Sequence, residues 1–394
     1  MLRSFPPMGV YETLFRFADA TGKYMGEPGT HPWAQGFPLT TQLPGGPPLP
    51  DSVSFGAADL KYPRADGQPA LREAIAAYYR ESYGANVTAD HVAVFAGGRP
   101  AIFAILAFLL PGTTVAVEAT EYTPYWDLLR LLDLPSVLIP SHAGNRFRPG
   151  PMDYEVAPAP GTSRVLLLKS NPCNPTGVAT RGDALADLVR RFSAEGRGAL
   201  IDEAYEFYLE PESESALRHI PDIDATDIFV VGAATKGLQV PGLRIGWCVA
   251  AKRHVEIFRN YSSLGMGGVS RLSQLCAANL LEPARVRRAR AAVGAFFGAQ
   301  RRRYSEGLAS LGLELFTGEG GFYHWARLPE ADSGDALNER LFSHDAGILP
   351  GRLCDMARLP EGGPGSLDRM FRFSFGPLSP ESYEGDMAIL RSVL

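Results

Sequence analysis

The chain has 394 residues, of which 45% are hydrophobic and 21% charged, and this composition excludes a disordered, collagen-like or coiled-coil protein. Basic residues number 38 and acidic residues 43, and the net charge of −5 offers no footprint for nucleic acid or an anionic membrane. The length predicts two domains. The four cysteines are far apart and form no C-x-x-C pair, which predicts no metal site and indicates a reduced, cytoplasmic protein.

The N-terminal part of the chain predicts a helix followed by an irregular arm. Residues 10–23 have a helical pattern, whereas residues 26–50 contain seven prolines and predict no regular structure. The first residues show no long apolar run and no small-residue cleavage site, so we expect no signal peptide. The most apolar stretch, residues 101–110, is too short to span a bilayer.

The central part alternates between helical and strand-like segments. Pro69 begins a helix with apolar residues at helical spacing. Short apolar runs follow at residues 91–95, 114–117, 136–139, 164–168, 198–202 and 228–232. Continuous apolar strands between helices predict an α/β fold, with a mostly parallel sheet covered on both faces. Residues 283–311 then predict one long, arginine-rich helix with a solvated face, and residues 313–394 predict a small α+β domain.

Four loops at predicted strand ends carry most of the candidate chemistry, because ligands of such sheets bind beyond the carboxyl ends of the strands. Residues 170–177 read Ser-Asn-Pro-Cys-Asn-Pro-Thr-Gly, a rigid turn, and residues 202–205 read Asp-Glu-Ala-Tyr. A lysine ends residues 233–236 and is followed by Arg244. Residues 97–100, Gly-Gly-Arg-Pro, open a helix whose free N–H groups suit an anion such as phosphate.

One cofactor needs all of these groups together. Pyridoxal phosphate requires a lysine for a Schiff base, a carboxylate at its pyridine nitrogen and a phosphate cradle. With these motifs in this order, Asn-Pro-x-Asn-Pro-Thr-Gly, Asp-x-Ala-Tyr and Lys-(x)7-Arg-x-Gly, the chain resembles the class I/II aminotransferases of fold type I over residues 36–375. The resemblance implies a large domain with a seven-stranded, mostly parallel sheet and a small α+β domain built from both termini.

The resemblance also implies a division of the chain and a role for each motif residue. We expect an arm and part of the small domain in residues 1–55, the cofactor-binding domain in 56–284, and the interdomain helix and small domain in 285–394. Lys236 is implied as the Schiff-base lysine and the group that moves the proton at the substrate Cα. Asp202 is implied at the pyridinium nitrogen. The expected ring contacts are hydrogen bonds from Asn174 and Tyr205 and stacking by Tyr122.

The phosphate end is implied by the same resemblance. Gly98, the backbone after it and Arg244 would hold the phosphate, and Tyr62 matches a tyrosine that the family contributes across a homodimer to the partner's phosphate. Two positions depart from the family pattern. An alanine stands three residues before the lysine, where the family usually has serine, so that Thr235 becomes the candidate hydroxyl. Arg99 stands where the family often has a small hydroxyl residue, and it is expected either to add charge to the phosphate site or to point away.

Three positions concern the substrate. Arg372 matches the family arginine that binds the α-carboxylate, and Gly36 matches the glycine whose backbone closes over the substrate. Asn174 is also expected to contact the substrate. His31 precedes Gly36 by five residues, within reach of the mouth of the site, and we weigh it as a general base against an arm histidine. His324 is expected to be a packing residue.

The leading interpretation is an aminotransferase that exchanges an amino group between an α-amino acid and an oxo acid by a ping-pong mechanism. The first alternative keeps the cofactor and changes the outcome, as in the O2-dependent oxidases or hydroxylases, cyclases and lyases that share this scaffold. The oxidase alternative would give His31 a central role. A minor alternative is a non-catalytic protein that senses a ligand.

Overall fold

The computed structural model describes residues 8–329, 332–359 and 365–394. The helices run α1 (Val10–Thr21), α2 (Pro69–Tyr83), α3 (Gly98–Ala107), α4 (Thr123–Leu131), α5 (Gly182–Phe192), α6 (Lys252–Tyr261), α7 (Arg271–Leu280), α8 (Pro283–Ser310), α9 (Gly334–Phe342) and α10 (Tyr383–Val393). The strands run β1 (Val92–Phe95), β2 (Thr113–Glu118), β3 (Ser136–Ile139), β4 (Arg164–Ser170), β5 (Arg197–Asp202), β6 (Ile228–Ala233), β7 (Gly246–Val249), β8 (Glu314–Leu315), β9 (Tyr323–Arg327), β10 (Leu349–Pro350) and β11 (Met370–Ser374). None of the helices in these ranges is long and apolar enough to cross a membrane.

The large domain is built on a seven-stranded sheet with the order β1-β7-β6-β5-β4-β2-β3. Strands β2 to β6 are parallel, and β7 runs antiparallel to both of its neighbours. Successive residues of the central strands enter different cores: Ala199 and Ile201 face one apolar cluster and Leu200 faces the other. Helices α2, α5, α7 and α8 supply the first cluster, and α3, α4 and α6 supply the second. The sheet is therefore covered on both faces, as predicted.

The small domain is an antiparallel sheet with the order β10-β11-β9-β8, against which α1, α8 and α9 pack, and α10 packs against α8 and α9. The N-terminal arm joins this sheet: Ser374 donates its N–H to the Trp33 carbonyl at 2.8 Å, and Leu39 donates to Gly376 at 2.8 Å. The prediction of a small α+β domain that includes both ends of the chain is confirmed. The residue boundaries of the three segments, 1–55, 56–284 and 285–394, stay a prediction.

Most element bounds agree with the sequence, and the differences have local causes. Helix α1 ends at Thr21 because Gly22 adopts a left-handed φ of 71° and closes the helix with a bond to the Ala18 carbonyl. Helix α4 begins at Thr123, with Pro124 in its first turn, where a missing N–H and a fixed φ suit the start of a helix. Strand β7 was not predicted: it has four residues, and the first of them, Gly246, is also the last residue of the Lys-(x)7-Arg-x-Gly motif.

Candidate active site

The four predicted loops meet at one cavity of about 350 Å³. It lies at the carboxyl ends of the parallel strands, where the loops after β2, β4, β5 and β6 converge with the start of α3. The lining residues are Tyr11, Gly98, Arg99, Ile102, Tyr122, Ser170, Asn174, Asp202, Ala204, Tyr205, Ala233, Thr235, Lys236 and Arg244. Nine of the predicted site residues are therefore brought together by the fold.

Lys236 enters the cavity from the end of β6, and its Nζ donates to the Gly36 carbonyl of the N-terminal arm. Burial lowers the pKa of this amine to about 7, and the positive charges of Arg99 and Arg372 act in the same direction. Asp202 opposes them with its negative charge. A large fraction of the amine is therefore neutral near pH 7, which an ordinary surface lysine does not achieve.

Asp202 ends β5 and is buried. Its carboxylate accepts hydrogen bonds at 3.1 Å from the Tyr125 hydroxyl and from the Ala204 N–H. Burial raises the pKa of this carboxyl, while the two donors and the charge of Lys236 act against that rise. The side chain is thus held in one orientation, toward the cavity that it shares with Lys236.

Arg372 crosses from the small domain into the site. Its guanidinium donates to Asn174 Oδ1 at 2.7 Å and to the Ala34 carbonyl at 2.6 Å, and it lies 4.2 Å from the ring centroid of Tyr323. The buried Nε has no hydrogen-bond partner among the described residues. The hydroxyl of Tyr323 is bonded to that of Tyr205. Two domains and the arm therefore contribute to the same corner of the site.

The start of α3 forms the cationic end of the cavity. Gly97 has a φ of 110°, and a Cβ there would lie 2.5 Å from Nη2 of Arg244, so glycine is needed for the arginine to pack against this turn. Arg244 also donates to the Ala96 carbonyl at 3.2 Å. Arg99 donates from Nε to the Tyr122 hydroxyl at 2.8 Å. Two guanidinium groups and the free N–H groups of Gly98 and its neighbours make this end suitable for an anion.

Three predicted residues lie elsewhere or at the margin. His31 does not line the cavity, because its Nδ1 is bonded to the buried Asp386 at 2.6 Å. Tyr62 is 92% exposed in the single chain. Gly36 contributes its carbonyl to Lys236, and a Cβ at that position would come within 2.6 Å of the Tyr323 hydroxyl. The absence of a side chain at Gly36 is thus a requirement of the site.

Several site residues were missed from the sequence. Ser170 lines the cavity and was quoted only as the start of its motif, although its place at the end of β4 was a usable signal. Tyr125, Tyr323 and Tyr11 had no such signal, because they come from helices and a strand of other parts of the chain. His324 is fully buried, and its pKa is lowered to about 3 chiefly by burial, which supports its interpretation as a neutral packing residue.

Comparison with known proteins gives the family. A family model described as "Aminotransferase class I and II" matches residues 54–376. An aspartate aminotransferase of Streptomyces avermitilis is 31% identical, over 57% of this chain and 56% of that protein. A probable aspartate/prephenate aminotransferase of Thermus aquaticus is 28% identical, over 74% of this chain and 76% of that protein. These names favour amino-group transfer over the oxidase, lyase and ligand-sensing alternatives.

Solved structures agree in fold. The aspartate aminotransferase of Thermus thermophilus with maleate superposes with a TM-score of 0.80, at 23% identity and with all of both chains covered. A tetra mutant of the same enzyme, complexed with tryptophan, gives 0.83 at 23% identity, covering 100% of this chain and 99% of that one. The family model matches most of this chain, residues 54–376, and together with the relatives and the solved structures it shows that the chain belongs to the class I and II aminotransferase family and is an aminotransferase.

Proposed function

We propose that this aminotransferase uses pyridoxal phosphate to transfer the amino group of an α-amino acid to an oxo acid in two half-reactions. One observation carries the proposal: a lysine amine with its pKa lowered to about 7 shares one cavity with a buried carboxylate, and a buried arginine reaches the same site.

We also propose that the protein is cytoplasmic. Its four cysteines are buried and unpaired, as is usual for proteins of a reducing compartment.

The residues of the cavity fit this cofactor by their chemistry. Arg244, Arg99, Thr235 and the N–H groups at Gly98 offer charge and donors for a phosphate. On the opposite side, Asp202 is an acceptor suited to a protonated ring nitrogen, and Asn174 and Tyr205 offer donors to a ring oxygen. Tyr122 offers an aromatic face. When bound, pyridoxal phosphate withdraws electrons from the substrate's α-carbon and so acidifies its C–H bond.

Lys236 is the base that we assign to this C–H bond. Its neutral amine would take the proton from the substrate Cα and return it to the carbon on the ring side of the transferred nitrogen, so one group serves both proton transfers. The neighbouring cations lower the pKa of the amine, so that it releases its proton near neutral pH, and the negative charge of Asp202 limits this decrease. A base whose pKa lies close to the working pH is best suited to both directions of transfer.

Arg372 is the group that we assign to the substrate α-carboxylate. A carboxylate bound to its planar fork would place the amino acid between the two domains, with the Cα–H bond toward Lys236. Gripping the carboxylate in this way favours loss of the α-proton over loss of the carboxylate itself. The Gly36 backbone, which already contacts Lys236, would help to exclude water from the reacting atoms.

We further propose a homodimer in which Tyr62 reaches the partner's phosphate site. Within eight residues of the chain, Phe55, Leu60 and Tyr62 are all exposed, by 53%, 69% and 92%. Such a group of large apolar side chains is unusual on the surface of a monomer and is typical of an interface. The same segment contributes Asp59, which pairs with Arg271 of α7 at 3.1 Å.

Absorbance spectra of the purified protein test the proposal. Titration with a panel of amino acids should convert the visible band of bound cofactor to the amine form, equally under air and under argon, and added oxo acid should restore it. A protein without a visible band would contradict the assignment of the cofactor. A band that changes only under air would contradict transfer and indicate an oxidase.

The charge of Arg99 is expected to set the reactivity of Lys236 toward carbonyl compounds. In the apoenzyme, the rate of reaction with pyridoxal, which lacks the phosphate, should rise with pH through about 7 as the amine loses its proton. Arg99→Ala removes the largest single charge that lowers this pKa, so the curve should move up by about one pH unit. Arg218→Ala, an exposed arginine, is the control. Coincident curves for Arg99→Ala and wild type would contradict the prediction.

A further inference from the structure

Glu121 is a buried carboxylate that none of the assignments above uses. It is 0% exposed and lies in the loop between β2 and α4. Its Oε1 accepts the Ser170 N–H at 2.7 Å, and its Oε2 accepts the Ser170 hydroxyl at 2.7 Å and the Tyr122 N–H at 2.6 Å. One side chain therefore joins the loop that follows β2 to the loop that follows β4.

The partners of Glu121 continue to both sides of the cavity. The Ser170 hydroxyl accepts the Asn174 N–H at 3.0 Å, and Asn174 in turn accepts from Arg372 at 2.7 Å. In the other direction, Tyr122 accepts from Arg99 at 2.8 Å. Hydrogen bonds, joined through the covalent structure of Asn174 and Tyr122, thus connect the small-domain arginine with the cationic end, and Glu121 lies at the centre of this path.

The backbone around Glu121 is also held by the small domain. Glu121 donates its N–H to the Cys354 carbonyl at 3.0 Å, and Met356 donates to Ala119 at 2.9 Å. The carboxylate is therefore located where a segment of the small domain forms backbone hydrogen bonds with the loop between β2 and α4. A shift of this loop would move Tyr122 relative to both domains.

We propose that Glu121 is a positioning residue that sets the distance between Tyr122, which offers a face to the cofactor ring, and Asn174, which offers a donor to the ring oxygen. This inference rests on the proposed function. Burying a carboxylate that touches no ligand is costly, and three donors compensate the cost only while both loops hold their positions. Once the carboxyl is ionised, its negative charge makes these hydrogen bonds stronger than a neutral acceptor would, which keeps the loops rigid in the absence of ligand.

Glu121→Gln tests this role because the amide has nearly the same shape but cannot accept on both sides. In either orientation its NH2 group faces a backbone N–H, of Ser170 or of Tyr122. Burial and the charge of Glu118 raise the pKa of Glu121 to about 8, so the measurements are made at pH 9, where the carboxylate is ionised. We expect the apoenzyme of Glu121→Gln to bind pyridoxal phosphate about tenfold more weakly. The pH midpoint of its visible band should differ from that of wild type.

Glu203→Gln is the matched control. Glu203 is 1% exposed and also follows a strand of the sheet, but its Oε1 accepts only from the Ala216 N–H, and its Oε2 has no partner in the described part of the chain. An amide fits there without opposing another donor, so cofactor affinity and band midpoint should be those of wild type. Ser170→Ala provides a second test, since it removes the link to Asn174 while Glu121 keeps both backbone donors.

The outcomes separate this inference from the proposed function. A wild-type apoenzyme that binds no pyridoxal phosphate would refute the proposed function itself. If wild type binds it and Glu121→Gln has the same affinity and band midpoint, the positioning role is refuted. If Glu121→Gln fails to fold, Ser170→Ala decides: weaker binding and a moved midpoint support the role, and wild-type values refute it.

Discussion

Replacing Lys236 with alanine should lower the rate of amino-group transfer by at least about 10⁴-fold, because the same amine is assigned to both proton transfers at the reacting carbons. The turnover of amino acid plus oxo acid, followed by oxo-acid product, measures the loss. Borohydride treatment followed by mass measurement of the chain should add the reduced cofactor to wild type and not to Lys236→Ala. Lys252→Ala is the control, since that lysine is exposed and, within the described ranges, forms an ion pair only with the surface residue Asp224.

Two results would contradict the assignment of Lys236. Covalent trapping of the cofactor on the alanine variant would place the attachment on another of the five lysines. Near-normal turnover would show that a different group moves the proton.

The Lys236→Ala variant also tests the proposed dimer. When it is mixed with Tyr62→Ala at limiting cofactor, about a quarter of the wild-type rate should return, because half of the dimers contain one subunit of each variant and each such dimer holds one intact site. No recovery would contradict a shared site.

The large domain follows from the sequence because its strands are continuous apolar runs. Such runs indicate a sheet covered on both faces, and where the strands are parallel the loops of Asn174, Asp202 and Lys236 open at the same edge. The position of these side chains at strand ends is therefore a local property that a single sequence reveals. Burial as the cause of the lowered pKa of Lys236 requires the structure, since it depends on the small domain and the arm closing over the amine.

Contacts between distant segments were beyond the sequence. Arg372 and Asn174 are 198 positions apart, and nothing in either motif shows that they share a hydrogen bond. The same holds for His31, whose place in the arm put it within reach of the site. Its partner Asp386 lies on the last helix, where Trp33 and Tyr304 donate to the same carboxylate at 3.2 and 2.6 Å. A buried acceptor with several donors holds the histidine there, and chain length alone did not reveal this.

The arm nevertheless matters for the site, through its backbone. Ala34 accepts from Arg372 and Gly36 accepts from Lys236, so the segment following His31 contacts both ends of the proposed substrate position. Residues that are irregular by composition are here ordered by hydrogen bonds to two domains. The chemistry of the site is thus carried by motif residues, and its closure is carried by a segment without a motif.

Replacing Arg372 with alanine should lower kcat/KM for an α-amino acid by about 10³-fold, because a buried guanidinium that pairs with a carboxylate is lost. Arg372→Lys should recover only part of this, since an ammonium keeps the charge but not the planar fork. Arg369→Ala is the control, because Arg369 lies on the same segment and donates to the Leu328 carbonyl at 2.8 Å, outside the cavity. The measurement is kcat and KM with the amino acid that the spectral titration identifies.

An amine of the same side chain but without the carboxylate separates recognition from damage to the site. It should react slowly with wild type and at nearly the same rate with Arg372→Ala, because the arginine has nothing to bind in that substrate. A drop with the amine as large as with the amino acid would mean that the substitution disorders Asn174 and the arm instead. An unchanged kcat/KM for the amino acid would refute the assignment, since no other guanidinium is bonded to both Asn174 and the arm within the described residues.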